Sequence, residues 1–295
     1  MNALLPAIVA GTAQGVPIFV IASGLTLIYG VMHVLNFAHG AFFLVGAYVV
    51  TTVLRGSSMW AFFLAALIAG VVVMAVGIVC EVVVFRRLYK AGPLVGFLGA
   101  FALFLTIGGL AVHIWGNNPR TVAYPDGLGG SISIAGSRIA VYDLVVVGVG
   151  LLIAVALWGL LTHTSIGVRV RALSHDRAMA SALGIRAPRV GTLVFAIGSF
   201  LAGIAGALIT PVTSIDTSLS ASYLIPAFIV VIVGGLGSVP GALVAAVALG
   251  VIDSLLFRYV PALGGFSYYL LVAVILMVRP QGLFGRTSRT TQIAR

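Results

Sequence analysis

The chain has 295 residues, of which 61% are hydrophobic and only 7% charged, and its mean hydropathy is +1.22. A soluble globular domain carries about 25% charged residues, and a chain of this length offers no interior able to hide so many apolar windows, so a water-soluble fold is excluded. The net charge of +10 does not indicate nucleic-acid binding, because the arginines fall between apolar spans rather than on one folded face.

In chain order, "MNALLPAIVAGTAQG" lacks the basic start of a cleaved signal peptide, so the first apolar stretch is expected to remain as a span. Apolar segments fall at roughly 6–31, 37–54, 59–85, 94–115, 139–162, 190–210, 223–236, 239–257 and 264–278. About 20 apolar residues in a helix cross the roughly 30 Å hydrocarbon layer. The stretch 223–236 is short and reads as a half-span or a tilted helix. The expected fold is therefore all-α: a polytopic transmembrane helical bundle of about eight or nine membrane segments, forming a single domain over 1–295. Cys80, the one cysteine, lies in an apolar run and reads as a packing residue.

Two interruptions stand out. "HVLNFAHG" sets His33, Asn36 and His39 beside Gly40 between the first two apolar segments, and "GGLGSVPG" sets Gly234, Gly235, Gly237, Ser238 and Pro240 between two later ones. His39-Gly40-Ala41 lines up with Pro240-Gly241-Ala242. Paired interruptions of this kind indicate internal duplication and a solute pathway, and polar groups within apolar spans are costly enough to signal function. Asn36, His39, Gly40, Gly237 and Ser238 are the pathway candidates; His33 reads as a wetted turn residue. The alternative is that both interruptions are ordinary turns at the membrane surface.

Elsewhere, Gly198, Ala202 and Gly206 recur every four residues, as do Ser199, Gly203 and Ala207, a spacing that lets helices approach closely. Glu81 and Asp253 are expected near span ends facing water, and Asp143 at an interface. The segment "WGNNPRTVAYPDGLGGSISIAGSR" reads as a turn-forming external loop, a connector or a cover for the outer mouth. No metal-ligand spacing and no nucleophile–base pair is visible, so neither a catalytic nor a metal site is expected.

Lysine and arginine near span ends stay in the cytoplasm. Placing "FRRLYK" inside and counting nine crossings puts twelve of the sixteen basic residues on that side, leaving Arg55, Arg120, Arg138 and Arg258 outside. The N-terminus is then external, and the tail, about 279–295, is cytoplasmic.

Residues 164–191 hold six of the 22 charged side chains. Ser174 reads as the N-cap of a short helix, Asp176 places negative charge at its positive end, and Gly184 suits a left-handed termination. His175, Met179 and Leu183 share a face at i, i+4 spacing, while Ala178 and its small neighbours keep the helix slim. From these features, docking to a partner protein and lying on lipid headgroups with Arg169, Arg171 and Arg177 both remain open.

The pattern "GVRVRALSHDRAMASALGIRAPRV" followed by "FAIGSFLAGIAGAL" resembles the cytoplasmic coupling loop of ABC importer permeases of the branched-chain amino acid (LivH-like) family. "GLTLIYGVMHVLNFAHGAFFLVGAY", "IVVIVGGLGSVPGALVAAVALGVIDSL" and "RPQGLFGR" match the same family in the same order. Many members carry Glu after "NFAHG" where this chain has Ala41, so substrate identity is not carried over through that position. The resemblance implies a translocation subunit of the bacterial inner membrane that is not itself an enzyme and binds no cofactor. ATP and Mg would sit on separate cytoplasmic ATP-binding subunits, alongside a second permease subunit (copy or paralogue) and an extracytoplasmic solute-binding protein. The absence of a G-x-x-x-x-G-K-[ST] phosphate loop fits this. Over the loop, about 164–190, it assigns ATPase coupling to Arg171, Ser174, His175, Asp176, Ala178 and Gly184. The implied solutes are branched-chain or other hydrophobic amino acids, with urea or short amides as the alternative within the family. An ion-coupled secondary transporter, the alternative from another class, would need mid-span ionisable residues, of which few are present.

Overall fold

The computed structural model describes residues 4–88, 92–134, 137–261, 266–279 and 281–284. The chain runs through α1 (Leu4–Met32), α2 (Ala38–Val53), α3 (Met59–Cys80), a π-helical turn (Glu81–Phe85), α4 (Arg86–Leu88) and α5 (Pro93–Trp115). A hairpin of β1 (Ser131–Ile134) and β2 (Ser137–Ala140) precedes α6 (Val141–His163), α7 (Ser165–His175) and α8 (Arg177–Ala182). The chain then continues through α9 (Ala187–Ile209), α10 (Leu219–Gly234), α11 (Val239–Tyr259) and α12 (Ser267–Val278). Every apolar stretch read from the sequence becomes a helix. Six of them, among the described residues, are long and apolar enough to cross a membrane, and α2, α10 and α12 supply shorter apolar helices. At 1.5 Å per residue, the 16 residues of α2 or α10 reach about 24 Å, short of a full crossing.

Helices α1 and α9 form the centre. α1 packs antiparallel on α11, with Gly11 against Gly250 and Gly15 against Ala246, and also lies along α9. α9 in turn packs on α2 and α3 through the small residues spaced along its sequence. A methyl group at Gly203 would come within 2.9 Å of the Ala69 carbonyl oxygen, and Gly206 lies on the Phe43 carbonyl. Lipid tails are as apolar as the helices, so close backbone approach, rather than escape from water, holds such a centre together. α5 and α6 stay peripheral and present Leu105, Leu110, Leu151, Leu152 and Trp158 outward.

The structure adds two features absent from the sequence reading. The segment expected as a plain external loop contains the antiparallel hairpin, with Ser131 opposite Ala140 and Ile132 opposite Ile139. Glu81, expected to face water, is 1% exposed. Its carboxylate accepts from Thr192 Oγ1 at 2.8 Å and from Arg86 Nη2 at 3.2 Å. A partner 111 residues away and a π-helical turn turn this carboxylate inward. Of the expected cytoplasmic tail, 285–295 lie outside the described residues.

Candidate translocation and coupling sites

After α1 the backbone takes φ +56 at His33, the one positive φ outside glycine among the described residues. Asn36 then opens α2: its Oδ1 accepts from the Ala38 amide at 3.1 Å, and its carbonyl from the His39 amide at 3.2 Å. This side-chain turn offers the backbone an alternative to continuing the helix. The chain folds back into the bundle here. A methyl group at Gly24 would lie 2.7 Å from His39 Nε2 and 2.7 Å from the Gly198 carbonyl oxygen, so His39 sits level with a point about 12 Å before the end of α1.

Asn36 and His39 are consequently sealed within the protomer, and His39 is wholly inaccessible. Among the described residues no well-formed hydrogen bond reaches either His39 ring nitrogen, the Ile21 backbone supplying only a weak polar contact, and Asn36 Nδ2, Thr26 Oγ1 and Ser199 Oγ have no partner. Leaving a buried polar group unpaired costs about 1–3 kcal/mol, so this is a strained inventory for the middle of a membrane bundle. Gly40 lets α2 touch α10: a methyl group there would be 2.7 Å from the Ser220 carbonyl oxygen and 2.9 Å from Leu224. Beside the break, the Phe37 ring meets Phe97, Phe101 and Phe228 at centroid distances of 4.8, 6.2 and 4.7 Å. Sequence reading missed this aromatic clasp, since its members lie on three separate segments.

The second interruption has a different character. Gly235 and Gly237 take φ of +99 and +86, conformations open to glycine without steric cost. Ser238 caps α11, its Oγ accepting from the Gly241 amide at 3.1 Å. Gly237 is exposed and lies against Gly30, where a methyl group on it would be 3.8 Å from the Gly30 Cα. The two interruptions therefore meet the same helix at different heights, His39 at Gly24 and Gly237 at Gly30, roughly 9 Å apart along α1. They do not form one cluster. Leu283 and Phe284 close over the second turn: Leu283 donates to the Val233 carbonyl at 2.7 Å and Phe284 to that of Gly234 at 3.2 Å. No sequence signal announced this strap.

The charged segment holds two helices rather than one. α7 is capped by Thr164, whose hydroxyl accepts from the Gly167 amide at 3.2 Å, and it is anchored by buried Val170 and Leu173. Ser174, expected as the cap of the following helix, lies inside α7 and donates its hydroxyl to the Arg171 carbonyl at 3.0 Å. Asp176 takes the capping role instead, with extended backbone (φ −151, ψ 105) and Oδ1 accepting from Met179 N at 2.9 Å. The break at Asp176 also separates His175 from the helix bearing Met179, and Leu183 lies just past that helix as its C-cap, so the three do not share one helical face. The termination at Gly184 is as expected: φ is +86, its amide donates to Ser181, and the Ile185 amide donates to Ala180, both at 3.0 Å. This pair of bonds satisfies the carbonyls at the helix end. Arg171, Ser174, His175, Asp176, Ala178 and Gly184 are all exposed, and α8 shows Met179 at 59% and Leu183 at 77% exposure.

Over residues 7–279 the chain matches the family described as the branched-chain amino acid transport system, permease component. The chain belongs to this family. It is 28% identical to the high-affinity branched-chain amino acid transport system permease protein LivH of Salmonella typhimurium, over 94% of each chain. It is equally similar to BraD of Pseudomonas aeruginosa, at 28% over 96% of each chain. A probable LivH from Methanocaldococcus jannaschii is 26% identical, over 90% of this chain and 87% of the relative. The protein is thus a multi-pass membrane permease of the branched-chain amino acid transport family.

Proposed function

We propose that the protein is the translocation subunit of an ATP-driven importer for branched-chain or other hydrophobic amino acids, located in the bacterial inner membrane with its N-terminus external and its C-terminus cytoplasmic. Solute arrives from an extracytoplasmic binding protein, a second permease subunit completes the pathway, and cytoplasmic ATP-binding subunits supply the energy. This chain carries no catalytic step and no cofactor. The observation that carries the reading is α8, capped at both ends by its own residues and offering Met179 and Leu183 outside every membrane helix. A rigid projection with exposed apolar side chains suits a cleft in a partner. Arg171, Ser174, His175, Asp176, Ala178 and Gly184 form or flank this projection, and ATPase closure acts through it by favouring one of two helix arrangements.

In the same reading, Asn36, His39 and Gly40 hold the pathway shut in the arrangement described, while Gly237 and Ser238 shape its cytoplasmic end. Opening the α1–α2 break would release polar groups that now lack partners. The test is reconstitution with the ATP-binding subunits and the binding protein in proteoliposomes. ATP-dependent uptake of labelled leucine or isoleucine is expected; uptake of urea in their place would overturn the solute assignment, and uptake driven by an ion gradient without ATP would overturn the class. Impermeant labelling of Ser288→Cys in intact cells is expected to fail, and labelling from outside would refute the orientation.

A further inference from the structure

Around the first turns of α9 the surface folds into two adjoining clefts. The smaller, about 130 Å³, has Arg169 and Arg189 at its rim and Ile166, Val190 and Leu193 as its walls. The larger, about 500 Å³, shares Arg189 and adds Arg86 and Arg186. Arg86 is neutralised by Glu81. Arg169, Arg186 and Arg189 make no ion pair or side-chain hydrogen bond among the described residues. Nor is a spare acid at hand: Glu81 is occupied by Arg86 and Thr192, and Asp176 caps α8. Three guanidinium groups thus face an anion that the chain does not provide.

The walls identify its class. An inorganic phosphate, or an acidic side chain of a partner, would use the rim and leave exposed Leu193 and half-buried Ile166 uncovered. A phospholipid uses both, since cationic clefts between membrane helices on the cytoplasmic side suit anionic headgroups. We propose that this cleft seats one anionic phospholipid, its phosphate between Arg169 and Arg189 and an acyl chain along Ile166 and Leu193, with Arg186 adding charge from the adjoining cleft. Such a lipid ties α7 to α9 on either side of α8 and so steadies the base from which α8 projects.

The experiment is native mass spectrometry of the delipidated permease titrated with phosphatidylglycerol or phosphatidylcholine. The wild type is expected to hold one phosphatidylglycerol in preference to phosphatidylcholine. The pair Arg169→Ala/Arg189→Ala is expected to lose this preference by about thirty-fold, from the weight of two arginines near a headgroup. Arg169→Lys/Arg189→Lys keeps the charge and should keep the lipid, which separates loss of the site from loss of the fold, and Arg55→Ala should change nothing. Equal lipid retention by wild type and the alanine pair overturns the proposal, as does failure of the lysine pair to hold the lipid. Displacement by millimolar inorganic phosphate would show a bare anion site and also overturns it. Lipid binding is read on the permease alone, so the result stands whichever solute is carried.

Discussion

The α1–α2 break and the α7–α8 segment both set polar residues at helix ends, yet they satisfy them in opposite ways. Asp176, Ser174 and Thr164 find partners within four residues along the chain, the first two at the surface and Thr164 half-buried. His39 and Ser199 sit where α1, α2, α3 and α9 meet and Asn36 opens α2, and among the described residues Ser199 Oγ and Asn36 Nδ2 find no partner while His39 has no well-formed one. A locally satisfied helix keeps its shape while its surroundings move, which suits a lever. A buried set of unpaired groups is costly in one arrangement and relieved in another, which suits a gate.

The comparison can be broken most severely at Gly24. Gly24→Leu drives a side chain into His39 and the Gly198 backbone, and the overpacking should exceed about 3 kcal/mol. Assembled protein in size-exclusion chromatography is expected to vanish, whereas Ala182→Leu on exposed α8 should leave the profile unchanged. A well-folded Gly24→Leu protein would mean that the break is loosely packed. Next in size is Asn36→Leu/His39→Leu. Removing unpaired polar atoms offsets the lost Asn36 turn, so thermal stability should stay within about 1 kcal/mol of wild type while transport is abolished. Unchanged transport in this assembled double variant would remove the gate from the comparison.

Ala178→Trp tests the lever. Bulk in a fitted contact costs about 1–3 kcal/mol, a loss of several-fold to more than a hundredfold in association with the ATP-binding subunits, while melting of the permease stays unchanged. Full recovery of an active complex would instead fit a helix lying on lipid, where tryptophan is welcome. The smallest effect is expected for Asp176→Ala, which removes one cap at about 1 kcal/mol. Faster amide exchange at Met179 and roughly a five-fold drop in coupled ATP hydrolysis would sharpen the contrast; identical exchange would show that α8 is held by something other than its cap.

The positions of nine apolar helices among the described residues could be read from the sequence, because long uncharged runs mark them by composition alone, although only six are long enough to cross. Gly184 was equally legible, since a left-handed helix end has few chemical solutions. Asn36 and His39 were recognisable as an interruption, but their depth was not: hydropathy places a break between two spans, and only the contact with Gly24 and Gly198 shows that α2 begins inside the bundle. Ser174 and Asp176 compete for one cap, and the outcome turns on α7, which mixed charges and branched residues conceal. Glu81 faces inward for a partner 111 positions away, a relation beyond any local pattern.

The strap formed by Leu283 and Phe284 bears on the order in which the protein is made. Carbonyls of Val233 and Gly234, at the end of α10, wait for amides that lie about fifty residues further along the chain. Synthesis runs from the N-terminus, so the turn that precedes α11 cannot be finished until residues 283 and 284 have emerged. A prematurely ended product would insert most of its helices and still leave this turn unsealed, exposing backbone that a membrane protease can grasp. Closure of this turn is thereby tied to Leu283 and Phe284.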